Sequence, residues 1–520
     1  MLRKSFSFLT LPLVLLCCAL LGGFYGRSVF AADDQATSAG VQAFSNAFAL
    51  VQENAAEAPT GDKAIYNGAI PGMLRTLDPH SNFFDPKAYK LLLEDQEGHY
   101  SGVGMQVGPR NDKTVVLNPF PGSPAYKAGI RPGDVIAFVD DKPTANLNTT
   151  EVADLLKGPR NTPVKITVSR EGAPDYLTFN IVRQDIYRRT VNGFWVKPGI
   201  AYIRILSFGE NTSRELDDTF RALGETHPEG LVLDLRGNPG GLLNQAVAVA
   251  DHFLQKGQSV VSQHGRNSPE RIYRADHGNR GRDYPIVVLV NQYSASASEI
   301  VSGAMQDHDR AWILGETTFG KGLVQTVYPL RYYCGLALTT AHFYTPSGRL
   351  IQRDYSHESF FDYYNHKDHP GNDTKDVKTT DSGRTVYGGG GITPDEKYTM
   401  PEFDSLEVQL YRKGLFNFTR SYFAAHPLHL PDGWMPDSAT LDQLHDYLRR
   451  NGYTFSDAVF KKDTDWIKRY LAKEMYVWAF DVNASDRVFA LTDPEVTQAV
   501  KAMPQATTLL ERVHKVIVMK

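Results

Sequence analysis

Between residues 198 and 350 the chain repeats one pattern: a short run of unbroken apolar residues, a turn, then a stretch with helical spacing. The runs are IAYIRI at 200–205, GLVLDL at 230–235, SVV at 259–261, IVVLV at 286–290 and AWIL at 311–314. The helical stretches lie at 213–223, 245–254 and 296–306. A strand apolar on every position has to be covered on both faces, whereas one side of an antiparallel sheet can stay wet and then alternates. Helices interleaved with such strands supply that cover. The pattern therefore predicts an α/β fold with a layered core of parallel strands.

The flanking segments read differently. Residues 100–185 carry short β-branched runs, TVVL at 114–117, VIAFV at 135–139 and VKITVS at 164–169, separated by Gly, Pro and Asp-Asp turns. One helix is expected near the end of this β-rich module. Asn148 and Glu151 have the spacing of a capping box at its start. Residues 35–100 and 400–520 have helical patterning, and LDPHSNFFDP at 77–86 reads as a turn-rich connector. The polar, Gly-rich stretch 355–390 is expected to be loop.

The chain has 520 residues, too many for one ordinary domain. Its first residues resemble a targeting segment: Arg3 and Lys4, an apolar stretch at about 6–23, then small residues up to Ala32. A cleaved signal peptide and a retained N-terminal membrane anchor both fit, with cleavage favoured. Either places the remainder outside the cytoplasm, in the periplasm or cell envelope, with the inner membrane as the site of any anchor. A net charge of −4 and the lack of a basic run give nucleic acid no footing. Cys17 and Cys18 fall in the targeting segment, so Cys334 is left without an internal disulfide partner, and its alternating surroundings suggest burial in a strand. No HExxH or CxxC spacing marks a metal site, and no cofactor is expected.

Three segments carry chemistry. In the first, the apolar run 286–290 passes through Ser294, Ser296 and Ser298 into a helix. A serine there projects from a helix N-terminus, where unpaired amides and the dipole favour a developing oxyanion. Each of the three serines is also explained as a helix cap, and the local pattern does not choose among them. In the second, Lys321 stands between Gly320 and Gly322, with Gln325 four residues on. A lysine acting as base must be neutral, so its pKa has to fall from the usual value near 10.4 through burial. A carboxamide can orient the amine without adding charge, while a carboxylate would raise its pKa. In the third, DLRGNPGG at 234–241 is another strand end running into a glycine turn, whose bare amides at Gly240 or Gly241 could join that of Ala297 in an oxyanion hole. The phosphate-cradle spacing GxxxxGK[ST] is absent. His308 falls twelve residues after Ser296 on the same helix, and no other histidine has triad context.

Taken together and in this order, LDPHS at 77–81, DLRGNPGG at 234–241, SASASE at 294–299, FGKG at 319–322 and YTPSGR at 344–349 resemble the C-terminal processing peptidases, also called tail-specific proteases. The resemblance implies that Ser296 is the nucleophile, Lys321 the general base and Gln325 the residue that orients it. It places the oxyanion donors at Ala297 and Gly241. It also identifies the β-rich module as a PDZ domain, in which Gly102, Val103, Gly104 and Met105 form the loop that cradles a peptide C-terminus, with Val152 and Leu156 lining the adjoining groove. The implied partners are protein substrates with accessible C-terminal tails, and segments past 400 could serve a homodimer or an adaptor. The expected organisation is 1–32 targeting segment, 33–100 N-terminal helical segment, 101–185 PDZ domain, 186–395 Ser-Lys protease core and 396–520 C-terminal helical region. A non-catalytic PDZ scaffold on the same framework is the alternative, against which the Ser–Lys–Gln set argues.

Overall fold

The structure, a computed structural model, describes residues 37–57, 60–224, 228–356, 363 and 373–519, without the side chains of 373–375 and 514–519. The targeting segment expected at 1–32 lies outside the described residues. The chain divides into two compact units at Leu77/Asp78. The first is helical over 37–54 and again from Gly61 to Leu74, with a π-helical turn at Ile65–Ala69. No helix among the described residues is long and apolar enough to cross a membrane.

The second unit is built on a six-stranded sheet: β1 (Val191–Lys197), β2 (Ile200–Ile205), β3 (Gly230–Asp234), β4 (Ile286–Val290), β5 (Trp312–Gly315) and β6 (Glu396–Lys397), in that spatial order. β1 is antiparallel to β2, and every other pairing is parallel. The crossover helices are α1 (Thr212–Ala222), α2 (Leu243–Asp251) and α3 (Ala297–Asp307). Alternate residues of β4 go to opposite faces. Ile286, Val288 and Val290 pack with Leu216, Val249, Val301 and Met305 of the crossover helices. Val287 and Leu289 pack with Val496, Ala499 and Met503 near the C-terminus. Each fully buried valine or leucine here contributes about 1.5–3 kcal/mol of transfer free energy. Part of the C-terminal helical region is thus the second cover of the core sheet. A further helical cluster, with Leu410, Leu444, Leu471 and Met475 at its centre, lies in 403–489.

Two sequence expectations change. The 259–261 run belongs to a separate antiparallel sheet, in which Ser259–Gly265 pairs with Ser268–Arg274 and Gly335–Tyr344. Its polar continuation, SQHG, suits a half-exposed hairpin rather than a doubly covered strand. The polar stretch 355–390 holds a hairpin, Asp373–Thr379 against Thr385–Gly388. Two arginines seat its surroundings on the C-terminal end of α3, where cations suit the dipole. Arg384 meets Asp309 at 2.6 Å and Asp395 at 2.5 Å, and the buried Arg349 pairs with Asp307. The β-rich module forms as expected, with its helix Thr149–Leu156 closed by the Asn148–Glu151 capping box. Cys334 is a free, buried cysteine.

Candidate active site

Consecutive parallel strands deliver their carboxyl ends to one edge, the usual ligand-binding edge of such sheets. β3 runs into the glycine turn 235–242, β4 into the serine turn 291–296, and β5 into the loop carrying Lys321.

The serine turn separates the three serines. Ser294 and Ser298 are fully buried and serve as braces, donating to Leu235 O at 2.8 Å and Asn238 O at 3.0 Å. Ser296 is half-exposed and sits at φ 55°, ψ −111°, a region that non-glycine residues rarely enter. Such a residue costs of order 1–3 kcal/mol and persists only where its surroundings impose it. Here the strand end, the braces and the start of α3 impose it, which is the arrangement of a nucleophile elbow without its GxSxG spelling.

Sequence reasoning missed Glu299, which joins the two chemical segments. Its fully buried carboxylate accepts from Ser296 N at 2.7 Å and Lys321 N at 2.9 Å through Oε2. Through Oε1 it accepts from Thr318 Oγ1 at 2.6 Å and Gly320 N at 2.7 Å. Burial raises its pKa against those four donors. The Ser-x-x-Glu spacing of a capping box was the available signal, and in this fold the glutamate caps a loop as well as a helix.

Lys321 Nζ donates to Gln325 Oε1 at 2.7 Å. Burial depresses the pKa of this lysine, while Glu299 and Asp78 push the other way. Gln325 stands on the strand Leu323–Pro329 beside a register shift at Val324/Gln325. Its Nε2 donates to His80 O at 2.5 Å. An amide nitrogen held by a carbonyl leaves the amide oxygen for the lysine, so the orientation of Gln325 is set at both ends. LDPHS, read as a connector, is what presents that carbonyl. Asp78 accepts from His80 N at 2.8 Å, Ser81 N at 2.7 Å and Ser81 Oγ at 2.7 Å. The His80 ring bonds Tyr363 Oη at 2.9 Å, and burial, with Lys321 nearby, lowers its pKa to about 4. His308 bonds Asp381 and Ser259 O, remote from these groups.

The glycine turn is welded to the serine turn by Asn238. Its carbonyl accepts from Ala295 N at 3.0 Å, its Nδ2 donates to Ile205 O at 2.9 Å, and its Oδ1 accepts from Gly240 N at 2.9 Å. The Gly240 amide is therefore engaged. Gly241 forms a parallel bridge with Phe208 that uses Gly240 O and Leu242 N, which turns its own N–H to the opposite edge. A Cβ on Gly240 would lie 2.8 Å from Ser296 Cβ and 3.0 Å from Ala297 N, so glycine is what lets this turn reach the serine and the Ala297 amide.

In the β-rich module, Gly102, Val103, Gly104 and Met105 are all buried. Val103 O accepts from Ala125 N at 2.9 Å, and Gly104 O from Phe120 N at 3.0 Å and Ser123 Oγ at 2.7 Å. The segment around Ser123 and Ala125 thus holds this loop. Val152 and Leu156, expected to line a groove, are part of the module's core.

Residues 199–356 match the family model described as peptidase family S41, and 115–170 match the PDZ domain model. The carboxy-terminal-processing protease of Bartonella bacilliformis is 40% identical over 331 residues, 63% of this chain and 76% of that protein. The carboxyl-terminal-processing protease of Synechocystis is 36% identical over 311 residues, 58% and 72% of the two chains. A solved structure of the photosystem II D1 C-terminal processing protease is 31% identical, covering 65% of this chain and 83% of that one, with a TM-score of 0.36. Fold and matches define a serine-type peptidase carrying a PDZ domain. The chain belongs to the carboxy-terminal processing peptidases of family S41.

Proposed function

We propose that this chain is a serine endopeptidase of the cell envelope that takes substrates by their C-terminal tails and cleaves them with Ser296 and Lys321. The observation that carries the reading is the Lys321–Gln325 contact of 2.7 Å, made by a lysine whose burial favours the neutral amine. A neutral amine has two N–H donors and one lone pair. Gln325 Oε1 fixes a donor and so aims the lone pair, while Glu299 holds the Lys321 and Ser296 backbones on one carboxylate.

Ser296 Oγ gives its proton to Lys321 Nζ and attacks the scissile carbonyl. The Gly241 and Ala297 amides receive the oxyanion. Lys321 passes the proton to the leaving amine, and water hydrolyses the acyl-enzyme with Lys321 again as base. Substrate tails are held by the Gly102–Met105 amides as an added strand. Export follows from the targeting segment at 1–32. The working domain boundaries are 33–100 helical, 101–185 PDZ, 186–395 protease core and 396–520 helical. The test is turnover of a peptide with an unstructured C-terminal tail: Ser296→Ala is expected to abolish it, and full retention would sink the assignment.

A further inference from the structure

Arg236 follows β3 and opens the turn that ends at Gly241. Its guanidinium is shared between two carboxylate sets, one from the middle of the chain and one from near its C-terminus. Nη2 and Nε meet Asp234 at 2.6 Å and 3.0 Å, a pairing within the turn. Nη1 meets Glu495 Oε2 at 2.6 Å and Asp493 Oδ2 at 3.1 Å, 259 residues from Arg236 in the case of Glu495. All three carboxylates are buried. Asp493 also caps the helix Pro494–Lys501, which lies on the second face of the core sheet, and it pairs with Arg469 at 2.9 Å. Tyr202 Oη donates to Asp234 Oδ2 at 2.7 Å, which closes the network. Glu495 also lies against Gly315, where β5 leads into the lysine loop: a Cβ there would stand 3.1 Å from Glu495 Oε1.

A buried guanidinium forked between fixed carboxylates has little freedom, because losing any partner leaves a charge uncompensated. Beyond it, Gly237 N donates to Asn291 at 2.9 Å, and Asn238 and the Phe208 bridge hold the rest of the turn on the serine side, so Arg236 is its tie to the C-terminal helices. We propose that Asp493 and Glu495 are positioning residues for the peptide-cleaving reaction, acting through Arg236 to set where the Gly241 amide meets the oxyanion. The clamp rests on the peptidase reading given above, and it gives the C-terminal helices a part in that reaction. These carboxylates lie outside the 199–356 span of the family match.

The charges facing Glu495 are Arg236, Asp234 and Asp493, with Arg469 and Tyr398 behind them. Burial, opposed by Arg236 and helped by Asp234 and Asp493, pushes Glu495 up to about 7. The clamp therefore tightens as pH rises through neutrality.

The test uses the full chain, Glu495→Gln, and the Asp493→Asn/Glu495→Gln double variant. It measures kcat, KM, active-site titre and affinity for a peptide boronate, whose tetrahedral adduct needs the oxyanion donors. A displaced donor predicts kcat per active site down about tenfold in the double variant, KM within twofold, boronate affinity weakened in step with kcat, and Glu495→Asp restoring part of the loss. The gap between wild type and Glu495→Gln should widen from pH 6 to 8. Unchanged kcat and boronate affinity per active site, or a loss confined to the titre, would overturn the proposal. If the double variant does not fold, Glu495→Gln decides by the same measurements. A wild type without turnover sinks the peptidase reading and the clamp with it, whereas an active wild type with an indifferent double variant sinks the clamp alone.

Discussion

In the proposed reading two glycine-bearing loops offer backbone amides to an oxygen, and they are braced by different means. The 235–242 turn is held by buried charge and by a side-chain amide: Arg236 between Asp234, Asp493 and Glu495, then Asn238 across to the serine turn. The 102–105 loop is held by neutral contacts, from Phe120 N, Ser123 Oγ and Ala125 N and by strand pairing of Gly102 with Gln184 and Met105 with Pro119. Charged braces in a dry setting fix a position closely and are costly to disturb, as a site complementary to a transition state requires. Neutral braces suit a loop that binds and releases a tail. The contrast teaches that the chemistry and the tail recognition should fail separately.

The largest break expected is at Ser296. Ser296→Ala should lower kcat by about 10⁴-fold or more, the scale of losing a hydrolase nucleophile, while affinity for a C-terminal tail peptide, read by fluorescence anisotropy, stays within twofold. A parallel loss of tail affinity would show that the two loops are not independent.

The next effect acts on the base. Lys321 has its pKa lowered by burial. The charged form, favoured at low pH, is inactive, so kcat should rise with pH through the depressed lysine value and then level. The stability sign runs the same way: a base with a depressed folded pKa contributes fully only above its unfolded pKa near 10.5 and loses that contribution as pH falls through the folded value. Gln325→Glu places a carboxylate on Nζ and should move the kinetic limb upward by about 1–2 pH units, costing roughly 10–100-fold in kcat at neutral pH. A limb that stays in place would remove Gln325 from the site.

How much of this was legible beforehand follows the distances involved. The alternation of apolar runs and helical stretches announced the parallel sheet because each crossover is local. The serine turn was visible as a strand end entering a helix. The choice of Ser296 over Ser294 and Ser298 was not, since only the folded state shows two of them braced on Leu235 and Asn238 and the third at positive φ. His80 was passed over because its contribution is a carbonyl, which any residue has. Asp493 and Glu495 occupy the cap and first turn of the helix Pro494–Lys501, and nothing nearby in sequence points to Arg236. The second cover of the core sheet was hidden for the same reason: its apolar residues are helical in pattern, but their partner is a sheet far back in the chain.

A smaller effect is expected in the tail loop. Gly104 has φ 79°, and a Cβ would lie 2.4 Å from Ser123 Cβ. Gly104→Ala should weaken tail binding about tenfold, close to 1.4 kcal/mol, and raise KM with kcat on a tail-less substrate unchanged. A fall in that kcat would mean the neutral brace reaches the chemistry.

The smallest effect isolates the strain at the nucleophile. Ser296→Ala and Ser296→Gly both remove Oγ and both lack activity, so their difference reports the backbone. At φ 55° and ψ −111° alanine keeps the unfavourable conformation, whereas glycine enters it freely. Glycine also loses more chain entropy on folding, by roughly 0.5–1 kcal/mol, against a strain of order 1–3 kcal/mol. The glycine variant should therefore be the more stable by about 1 kcal/mol in urea unfolding monitored at equal m-value. An alanine variant more stable than the glycine variant by about 0.5–1 kcal/mol would mean that the serine turn is held without strain. Its bracing by Glu299, Ser294 and Ser298 would then be restraint of position only, as in the tail loop, and the contrast between the two loops would narrow to the presence of buried charge.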